Sequence, residues 1–293
     1  MSKVMPHLCV LVVLCEISGN ELYAGFERRY SDARSLATAG ALCVFGEDPW
    51  SCYYNPARAA DLSELSLFYV PSIFGIQDIK AAGVAYRDNL LGVDFSGAAQ
   101  TFGFDLYREN IFTLGLSHPV YDFLFVGVDI NLDHLFIQDY GTDATASIDA
   151  GVKMFMSRNF SMAFSMTNLN SASVTLSNDR LPQAVTAGIA YESNELNVGV
   201  EYFKELGFPS AVKVAAEYSP IKFATIRAGS ASGTSSFNAG VAIRFLSFEL
   251  DYGASFHQVL GVTQSFGISF RFSNQDKSEF ESTEEYRRVL KGK

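Results

Sequence analysis

The stretch Val262–Phe272, VTQSFGISFRF, alternates apolar and polar residues with one exception, Gln264, and ends on an aromatic residue. Successive side chains of a strand point to opposite faces, so this spacing predicts one apolar face and one polar face. The apolar face carries Val262, Phe266, Ile268, Phe270 and Phe272. Large apolar side chains outside and small polar ones inside are typical of a lipid-facing barrel wall, and the strand therefore predicts an outer-membrane β-barrel.

Similar alternation recurs upstream, in fifteen runs that start at Leu65 and include LLGVDFSG (90–97) and QTFGFDLYR (100–108). Closure with both chain ends on one side requires an even number of strands. We therefore expect an all-β, transmembrane antiparallel barrel of about fourteen strands over residues 65–272, with two short runs merging or one run being a loop. Turn-forming residues at 87–89, 157–159, 193–194 and 219–220 predict short connections.

Carboxylates in the middle of predicted strands indicate what the barrel encloses. Asp129 and Asp133 share one face of FLFVGVDINLD, and Glu249 and Asp251 share one face of LSFELDYGASF. Charges in mid-strand are costly when they face lipid, so these residues predict a lumen that is wet or hydrogen-bonded. A soluble sandwich with a solvated polar face is the alternative, but it does not explain so many similar strands together with an export signal.

The chain begins with a pattern typical of a secretory signal peptide. Lys3 precedes a compact apolar stretch, Leu8–Cys15, and Ala24-Gly25 offers a small residue at a cleavage site. The apolar stretch is shorter than the roughly 20 residues of a membrane-spanning helix. We interpret residues 1–24 as a signal peptide, with a retained anchor as the alternative, and Leu14 before Cys15 argues against a lipoprotein.

Composition narrows the function classes. The net charge of −10 argues against nucleic-acid binding, which needs a basic surface. The chain is 48% hydrophobic, yet no long apolar run follows the first fifteen residues. Of the four cysteines, only Cys43 and Cys52 lie beyond the predicted signal, where a disulfide is chemically allowed. The sequence alone leaves that bond undecided, because it depends on the separation of the two Cα atoms.

Residues 25–64 do not alternate. Asp48-Pro49 and Asn55-Pro56 each place a capping side chain before a proline, which predicts two short helical turns, WSCYY and ARAADL. The segment carries several large apolar residues, among them Trp50, Tyr53 and Tyr54. Their surface must be buried somewhere, and the barrel lumen is the nearest place. We therefore predict a small helical hatch, or plug, inside the barrel.

The stretch DARSLATAGALCVFGEDPWSCYYNPARAADL resembles the N-terminal signature of FadL-like and PorV/PorQ outer-membrane proteins. The matching positions are Ala33-Arg34, Leu36, Gly40-Ala41, Asp48 and Asn55-Pro56-Ala57. Weaker matches follow in order along nearly all of the mature chain, including Asp149-Ala150-Gly151, Asn168-Leu169 and Leu250-Asp251-Tyr252. Arg58 stands where a glycine often follows in the family, and the chain is shorter than most relatives.

The resemblance implies a fourteen-stranded barrel with an N-terminal hatch that gates a channel for small hydrophobic, fatty-acid-like compounds. On that interpretation Asn55, Pro56 and Ala57 fix the hatch, while Trp50, Tyr53 and Tyr54 line the ligand site or merely fill the lumen. The same resemblance implies an alternative, an accessory or shuttle barrel of a type IX-like secretion system that binds protein. A closed barrel without a transport role is the third possibility. The expected location is the outer membrane of a Gram-negative-type envelope, with outer-membrane lipids and the barrel assembly machinery as partners.

The sequence lacks the usual catalytic and metal motifs, and we predict a non-enzymatic protein without a cofactor. No His-x-Ser pair of the kind used by barrel lipases occurs. Ser255 and His257 are predicted on one inward face, but such a pair also needs an orienting partner and an oxyanion hole. The histidines and cysteines match no zinc spacing, and no glycine-rich nucleotide motif is present.

A charged tail, residues 273–293, follows the last predicted strand. Ser282-Thr283-Glu284-Glu285 has the form of a capping box, and Glu284 and Arg288 are spaced for an ion pair on a helix. The tail would lie in the periplasm. We interpret it as a solvated, partly frayed segment, with a docking helix for a periplasmic partner as the alternative.

Overall fold

The computed structural model describes residues 25–26, 32–59, 62–90, 92–174, 179–234, 236–272 and 283–289. The predicted signal peptide, residues 1–24, lies outside the described residues. So do residues 273–282 and 290–293 of the tail. Of the second predicted helical turn, 57–62, the structure describes residues 57–59 and 62.

Fourteen antiparallel strands form one closed barrel, as the sequence predicts. They are β1 (Glu64–Val70), β2 (Lys80–Leu90), β3 (Val93–Phe104), β4 (Tyr107–Tyr121), β5 (Leu124–Ile137), β6 (Gly141–Phe155), β7 (Phe160–Thr167), β10 (Ala184–Glu192), β11 (Leu196–Glu205), β12 (Ala211–Ile221), β13 (Ala224–Ala231), β14 (Ser236–Phe245), β15 (Phe248–His257) and β16 (Gly261–Arg271). A two-stranded ladder, β8 (Ser173–Val174) with β9 (Asp179–Arg180), lies in the connection between β7 and β10. The barrel closes where β1 pairs with β16, from Glu64 opposite Arg271 to Tyr69 opposite Phe266.

The fifteen predicted runs reduce to fourteen strands because two of them merge. β3 covers parts of both 90–97 and 100–108. The predicted turns at 157–159 and 193–194 are confirmed. Those at 87–89 and 219–220 are wrong, because these residues belong to β2 and β12. Pro220 is tolerated there because the β12–β13 register shifts between Tyr218 and Ile221, and a proline fits a strand at such an irregularity.

The two ends of the barrel differ. β1 begins and β16 ends at the same end, which we call the terminal rim; the opposite end is the distal rim. The β12–β13 and β14–β15 connections at the terminal rim are tight turns of two residues each, 222–223 and 246–247. Longer connections, 71–79 and 168–183, lie at the distal rim.

Side chains alternate across the wall as the sequence predicts. On β5, Val128, Ile130 and Leu132 are exposed on the outer face, whereas Asp129, Asn131 and Asp133 are fully buried on the inner face. On β16, Phe266 and Phe272 are outside, while Ser265 and Ser269 are buried inside. In the middle of these strands the inner face is therefore polar and the outer face apolar, which confirms the prediction from the mid-strand carboxylates.

Helix is scarce. α1 (Ala33–Ala37) starts at Asp32, whose carboxylate accepts from the Ser35 amide, and a 3-10 helix (Pro49–Tyr53) starts at Asp48, whose carboxylate accepts from the Trp50 amide. The predicted WSCYY turn is thus confirmed. The ARAADL turn is not helical over 57–59, because the Asn55 side chain accepts from the Ala57 amide and forms a local turn instead. α2 (Glu284–Val289) lies in the tail. Within the described residues, no helix has the length and apolarity needed to cross a membrane.

Candidate functional site

Residues 32–59, which we call the luminal segment, lie against the inner wall of the barrel. Glycines of the wall permit this close approach: a Cβ added at Gly127 would overlap the Pro56 backbone, and one at Gly229 would overlap the Thr38 backbone. A Cβ at Gly253 would likewise overlap the Ala33 carbonyl. Glycine lets two backbones approach in this way. The wall is therefore shaped to receive this segment along its length.

Near the terminal rim the segment is held by buried ion pairs. The Arg58 guanidinium is fully buried, with Nε 2.9 Å from Asp94 Oδ1 and Nη1 3.5 Å from Asp129 Oδ1. Arg87 Nη2 lies 2.6 Å from the other Asp94 oxygen. Glu47 pairs with Lys153 and accepts from the Ala59 amide at 3.0 Å. Two basic side chains of the wall and one of the segment are thus neutralised together.

A second ion network lies on the opposite wall. Arg34 of α1 forms a two-pronged contact with Glu217, both N···O distances being 2.7 Å, and also contacts Asp48 at 3.1 Å. Glu217 is shared with Arg227, which pairs with Asp251 and reaches Glu249. Paired carboxylates and guanidiniums of this geometry are among the stronger polar contacts in proteins. We call the two networks together the ionic zone.

The charge state of Glu47 follows from its partners. Burial raises the pKa of the Glu47 carboxyl, the charges of Lys153 and Arg87 lower it, and the net pKa is below its usual range. For Arg58, burial lowers the pKa while Asp129 and Asp94 raise it, and the net direction is up. Both groups are therefore charged at neutral pH, so the luminal segment is held by charges of both signs.

Toward the distal rim the lumen becomes apolar over the β1 to β5 wall. Buried side chains that form one hydrophobic cluster there come from strands, from distal connections and from the luminal segment itself, which contributes Leu42, Val44 and Phe45 among others. We call Val70, Ile73, Ile111, Leu135, Val174 and Leu181 the apolar zone. Phe74, Phe102 and Ile137 pack against it while remaining partly accessible. The zone also holds Phe26, whose amide donates to Glu109 Oε1 at 3.0 Å. This arrangement gives the distal half of the lumen a lining suited to apolar ligands.

The structure buries all three predicted aromatics in one hydrophobic cluster. Trp50 and Tyr53 stack with ring centroids 6.2 Å apart, and Trp50 meets Phe68 edge-on at 4.8 Å. Trp50 Nε1 donates to Ser66 Oγ at 2.8 Å. Tyr54 is buried in the same hydrophobic cluster, and its hydroxyl donates to Asp32 at the start of α1. All three aromatics thus pack with the apolar zone, and Tyr54 also links the segment to its own N-terminal helix.

Asn55, Pro56 and Ala57 lie where the segment crosses the β5 and β6 wall. Asn55 Nδ2 donates to the Cys43 carbonyl at 3.0 Å and to the Val152 carbonyl at 3.4 Å, so one side chain joins two parts of the segment to β6. A Cβ at Gly151 would overlap the Asn55 amide oxygen. The three residues therefore fit a tightly shaped contact.

Cys43 and Cys52 are both buried free thiols and are not joined in the structure. Cys43 Sγ lies 3.6 Å from Ser165 Oγ, and Cys52 Sγ donates to the Pro49 carbonyl at 3.6 Å. Burial raises the pKa of each thiol. Both sulfurs therefore act as packed, unreactive groups in this conformation.

Little open space separates the ionic zone from the β1 and β16 wall. A crevice lined by Arg34, Trp50, Ser66, Glu249 and Arg271 leaves about 20 Å³ for the centre of a water molecule. That room suits one or two waters and is far smaller than a hydrocarbon ligand needs. Passage along this wall therefore requires the luminal segment to move.

The remaining sequence candidates do not form a catalytic site. Ser255 Oγ donates to Asn238 Oδ1 at 3.4 Å, and His257 Nδ1 accepts from the Val259 and Leu260 amides. His257 is thus engaged as a turn-capping acceptor rather than as a base for Ser255. Among the residues that the structure describes, no group of three or more His, Cys, Asp or Glu side chains could hold a metal ion.

Sequence reasoning missed the residues that hold the luminal segment. Arg34 appeared only as a match to a family signature, Arg58 only as a departure from it, and Glu47 not at all. The usable signal was the set of inward charges on the strands, because each buried charge needs a partner and the luminal segment is the nearest source.

Comparisons with solved structures show the fold. The toluene transporter TbuX of Ralstonia pickettii superposes with a TM-score of 0.60 at 14% identity, covering 83% of this chain and 98% of that one. A FadL homologue of Pseudomonas aeruginosa gives 0.56 at 12% identity, with coverages of 83% and 98%. The toluene transporter TodX of Pseudomonas putida gives 0.58 at 11% identity, with coverages of 82% and 97%. No protein-family model matches the chain, and no curated protein matches its sequence.

Proposed function

We propose that the protein is an outer-membrane channel through which small hydrophobic compounds enter the cell. The observation that carries the proposal is the apolar zone, which lies beneath the distal connections and continues into Trp50 and Tyr53 of the luminal segment. The fold shared with toluene transporters of two species supports the same conclusion. An apolar solute crosses a polar surface layer poorly, so a greasy binding site just inside the barrel would help it across.

A channel of this kind has a defined orientation in the outer membrane. The apolar outer face contacts outer-membrane lipids, the terminal rim faces the periplasm and the distal rim faces the outside. The barrel assembly machinery would insert the chain after removal of the signal peptide. A compound enters the apolar zone from outside, and the luminal segment acts as the hatch that shifts to let it continue. The ionic zone returns the hatch to its place, because its charges find partners only in the closed position.

Uptake measurements test the channel. A deletion strain should take up labelled toluene or fatty acid more slowly than its parent, and the wild-type gene should restore the rate. Purified barrel in proteoliposomes should pass the same compounds. Equal uptake in parent and deletion strain, with no passage in proteoliposomes, would refute the proposal. Mass spectrometry of compounds that stay bound to the purified barrel would then show which class it takes.

A second candidate function is a docking barrel for protein secretion, which the sequence resemblance to PorV/PorQ suggests. The observation in its favour is an apolar turn at the terminal rim, where Phe245 is 73% exposed and Leu246 is 75% exposed. Exposed apolar residues of this kind can contact another protein. Loss of secreted, surface-anchored proteins in the deletion strain, with normal hydrocarbon uptake, would favour this function over the channel.

A further inference from the structure

The described part of the tail lies against the terminal rim. Thr283 and Arg287 are buried, at 0% and 1% exposure, so these two residues are not part of a solvated tail. Glu284 pairs with Arg158 of the β6–β7 connection at 2.9 Å, and Arg288, on the exposed side, pairs with Glu284 at 3.4 Å. The Glu284–Arg288 pair expected from the sequence is thus confirmed, and α2 is attached to the barrel as well.

Arg287 is the main contact. Its Nη2 donates to Glu192 Oε2 at 2.7 Å, at the terminal end of β10, and its Nη1 donates to the Arg158 carbonyl at 3.1 Å. The guanidinium also lies over the Phe155 ring, 5.0 Å from its centroid. A charged hydrogen bond, a carbonyl contact and a cation–π contact therefore converge on one buried side chain.

Phe155 connects this contact to the luminal segment. It packs edge-on against Phe125 at 5.8 Å, and the two rings form one apolar cluster with Ala57 and Ala59. Lys153 Nζ lies 5.3 Å from the Phe155 centroid and pairs with Glu47 of the luminal segment. The tail and the luminal segment therefore share one aromatic side chain at the terminal rim.

We propose that α2 is a latch at the terminal rim, which holds the 57–59 end of the luminal segment in place while Arg287 occupies the site formed by Glu192 and Phe155. When Arg287 leaves, Phe155 loses the group that covers it and residues 57–59 lose the surface against which they pack. Release of α2 thereby lowers the barrier to movement of the luminal segment. The latch itself rests on contacts alone, and only its effect on transport rests on the proposed function.

Hydrogen exchange of the full chain, purified in detergent, tests the latch. The amides of 57–59 are protected in three different ways, since they donate to Asn55, Ser117 and Glu47. In Arg287→Gln we expect these amides to exchange roughly ten- to a hundred-fold faster, as the loss of a charged hydrogen bond predicts. Arg288→Gln, which alters an exposed residue of the same helix, should leave their exchange unchanged.

A second variant approaches the contact from the wall. Glu192→Gln keeps α2 intact and removes only the charge that Arg287 meets, so it should accelerate exchange at 57–59 in the same direction. Unchanged exchange at 57–59 in both variants, with the barrel strands protected as in the wild type, would overturn the latch. If Arg287→Gln does not fold, Glu192→Gln alone decides between the two results.

Toluene uptake by the same proteins in proteoliposomes separates the latch from the channel. Faster exchange at 57–59 together with faster toluene uptake in the two variants supports both the latch and the channel. Faster exchange without uptake by any variant, including the wild type, leaves the latch standing and refutes the channel. Normal wild-type uptake with no change in exchange or uptake in the variants refutes the latch and leaves the channel standing.

Discussion

The two halves of the lumen hold the same segment by different physics. In the ionic zone, Arg34 and Arg58 of the luminal segment each meet two carboxylates through buried, directional contacts. In the apolar zone, Trp50 and Tyr53 pack through rings and aliphatic side chains, and the Trp50 indole donates a hydrogen bond to Ser66. Buried ion pairs tolerate little displacement, whereas apolar contacts exchange readily for those of an apolar ligand.

This difference suggests that the ionic zone and the apolar zone have different roles. The ionic zone sets where the luminal segment rests, because a displaced segment would leave charges buried without partners. On the proposed function, the apolar zone accepts a ligand without that penalty. Changes in the ionic zone should therefore release the segment, and changes in the apolar zone should alter ligand affinity while the segment stays in place.

The largest expected effect comes from Arg58→Ala. It leaves Asp94 and Asp129 buried beside one fewer cation, which costs about 3–5 kcal/mol for a buried pair that loses one partner. Trp50 is the only tryptophan of the chain, so quenching of its fluorescence by acrylamide reports exposure of the luminal segment when the barrel remains folded. We expect strong quenching in Arg58→Ala and weak quenching in the wild type.

Arg108→Ala is the matched control for that experiment. Arg108 also pairs with an aspartate, Asp105 at 3.8 Å, but both side chains are largely exposed. Exposed pairs contribute about 0–1 kcal/mol. Equal quenching in Arg58→Ala and Arg108→Ala would show that the buried pair does not hold the segment.

A smaller effect should follow from Gly127→Ala, which places a methyl group against the Pro56 backbone. Overpacking of this kind costs about 1–3 kcal/mol. Gly97→Ala is the control, because the nearest atom to its new methyl group is the flexible end of Leu114 at 3.7 Å. Hydrogen exchange at 57–59 should rise in the first variant only. Protected amides in Gly127→Ala would mean that the wall can yield there.

The architecture of the wall was predictable from the sequence, whereas the contacts inside it were not. An outward residue such as Ile130 and an inward one such as Asp129 differ by one position, so the period alone assigns each to a face. The partner of Asp129 is set by where the luminal segment passes. Arg34 and Glu217 are 183 positions apart, and no local pattern relates them.

In the candidate site, too, burial was predictable from the sequence but the individual contacts were not. The aromatic content of the luminal segment predicted that Trp50 and Tyr53 would be buried, since large apolar surface seeks cover. Nothing in the spacing of Tyr53 and Tyr54 indicated that Tyr53 would stack on Trp50 while the Tyr54 hydroxyl donates to Asp32, because these contacts depend on the 3-10 turn between Pro49 and Tyr53. The turn predicted at 87–89 was wrong for a related reason. Arg87 lies in β2, where it pairs with Asp94, and this partner is not visible in the local sequence.

Lowering the pH should weaken the contacts of the ionic zone, because it protonates the Glu47 carboxylate. Because the pKa of Glu47 is lowered in the folded barrel, its charge stabilises the closed state above the usual carboxyl range, and that contribution is lost as the pH falls through the lowered pKa. Trp50 quenching should therefore rise as the pH is lowered from 7 to 3, and Glu47→Gln should remove part of that rise. An identical pH profile in the variant would exclude Glu47 as a contributor.

The smallest effect belongs to the apolar zone. Leu135→Ala removes buried apolar surface that a ligand would contact, worth about 1 kcal/mol or roughly fivefold in the dissociation constant of toluene. Leu132→Ala, on the outer face of the same strand, is the matched control. Binding measured by calorimetry should weaken in the first variant alone, while Trp50 quenching stays low in both. If Leu135→Ala instead released the segment as Arg58→Ala does, the two halves of the lumen would act as one, because apolar packing would then fix the segment as firmly as the ion pairs do.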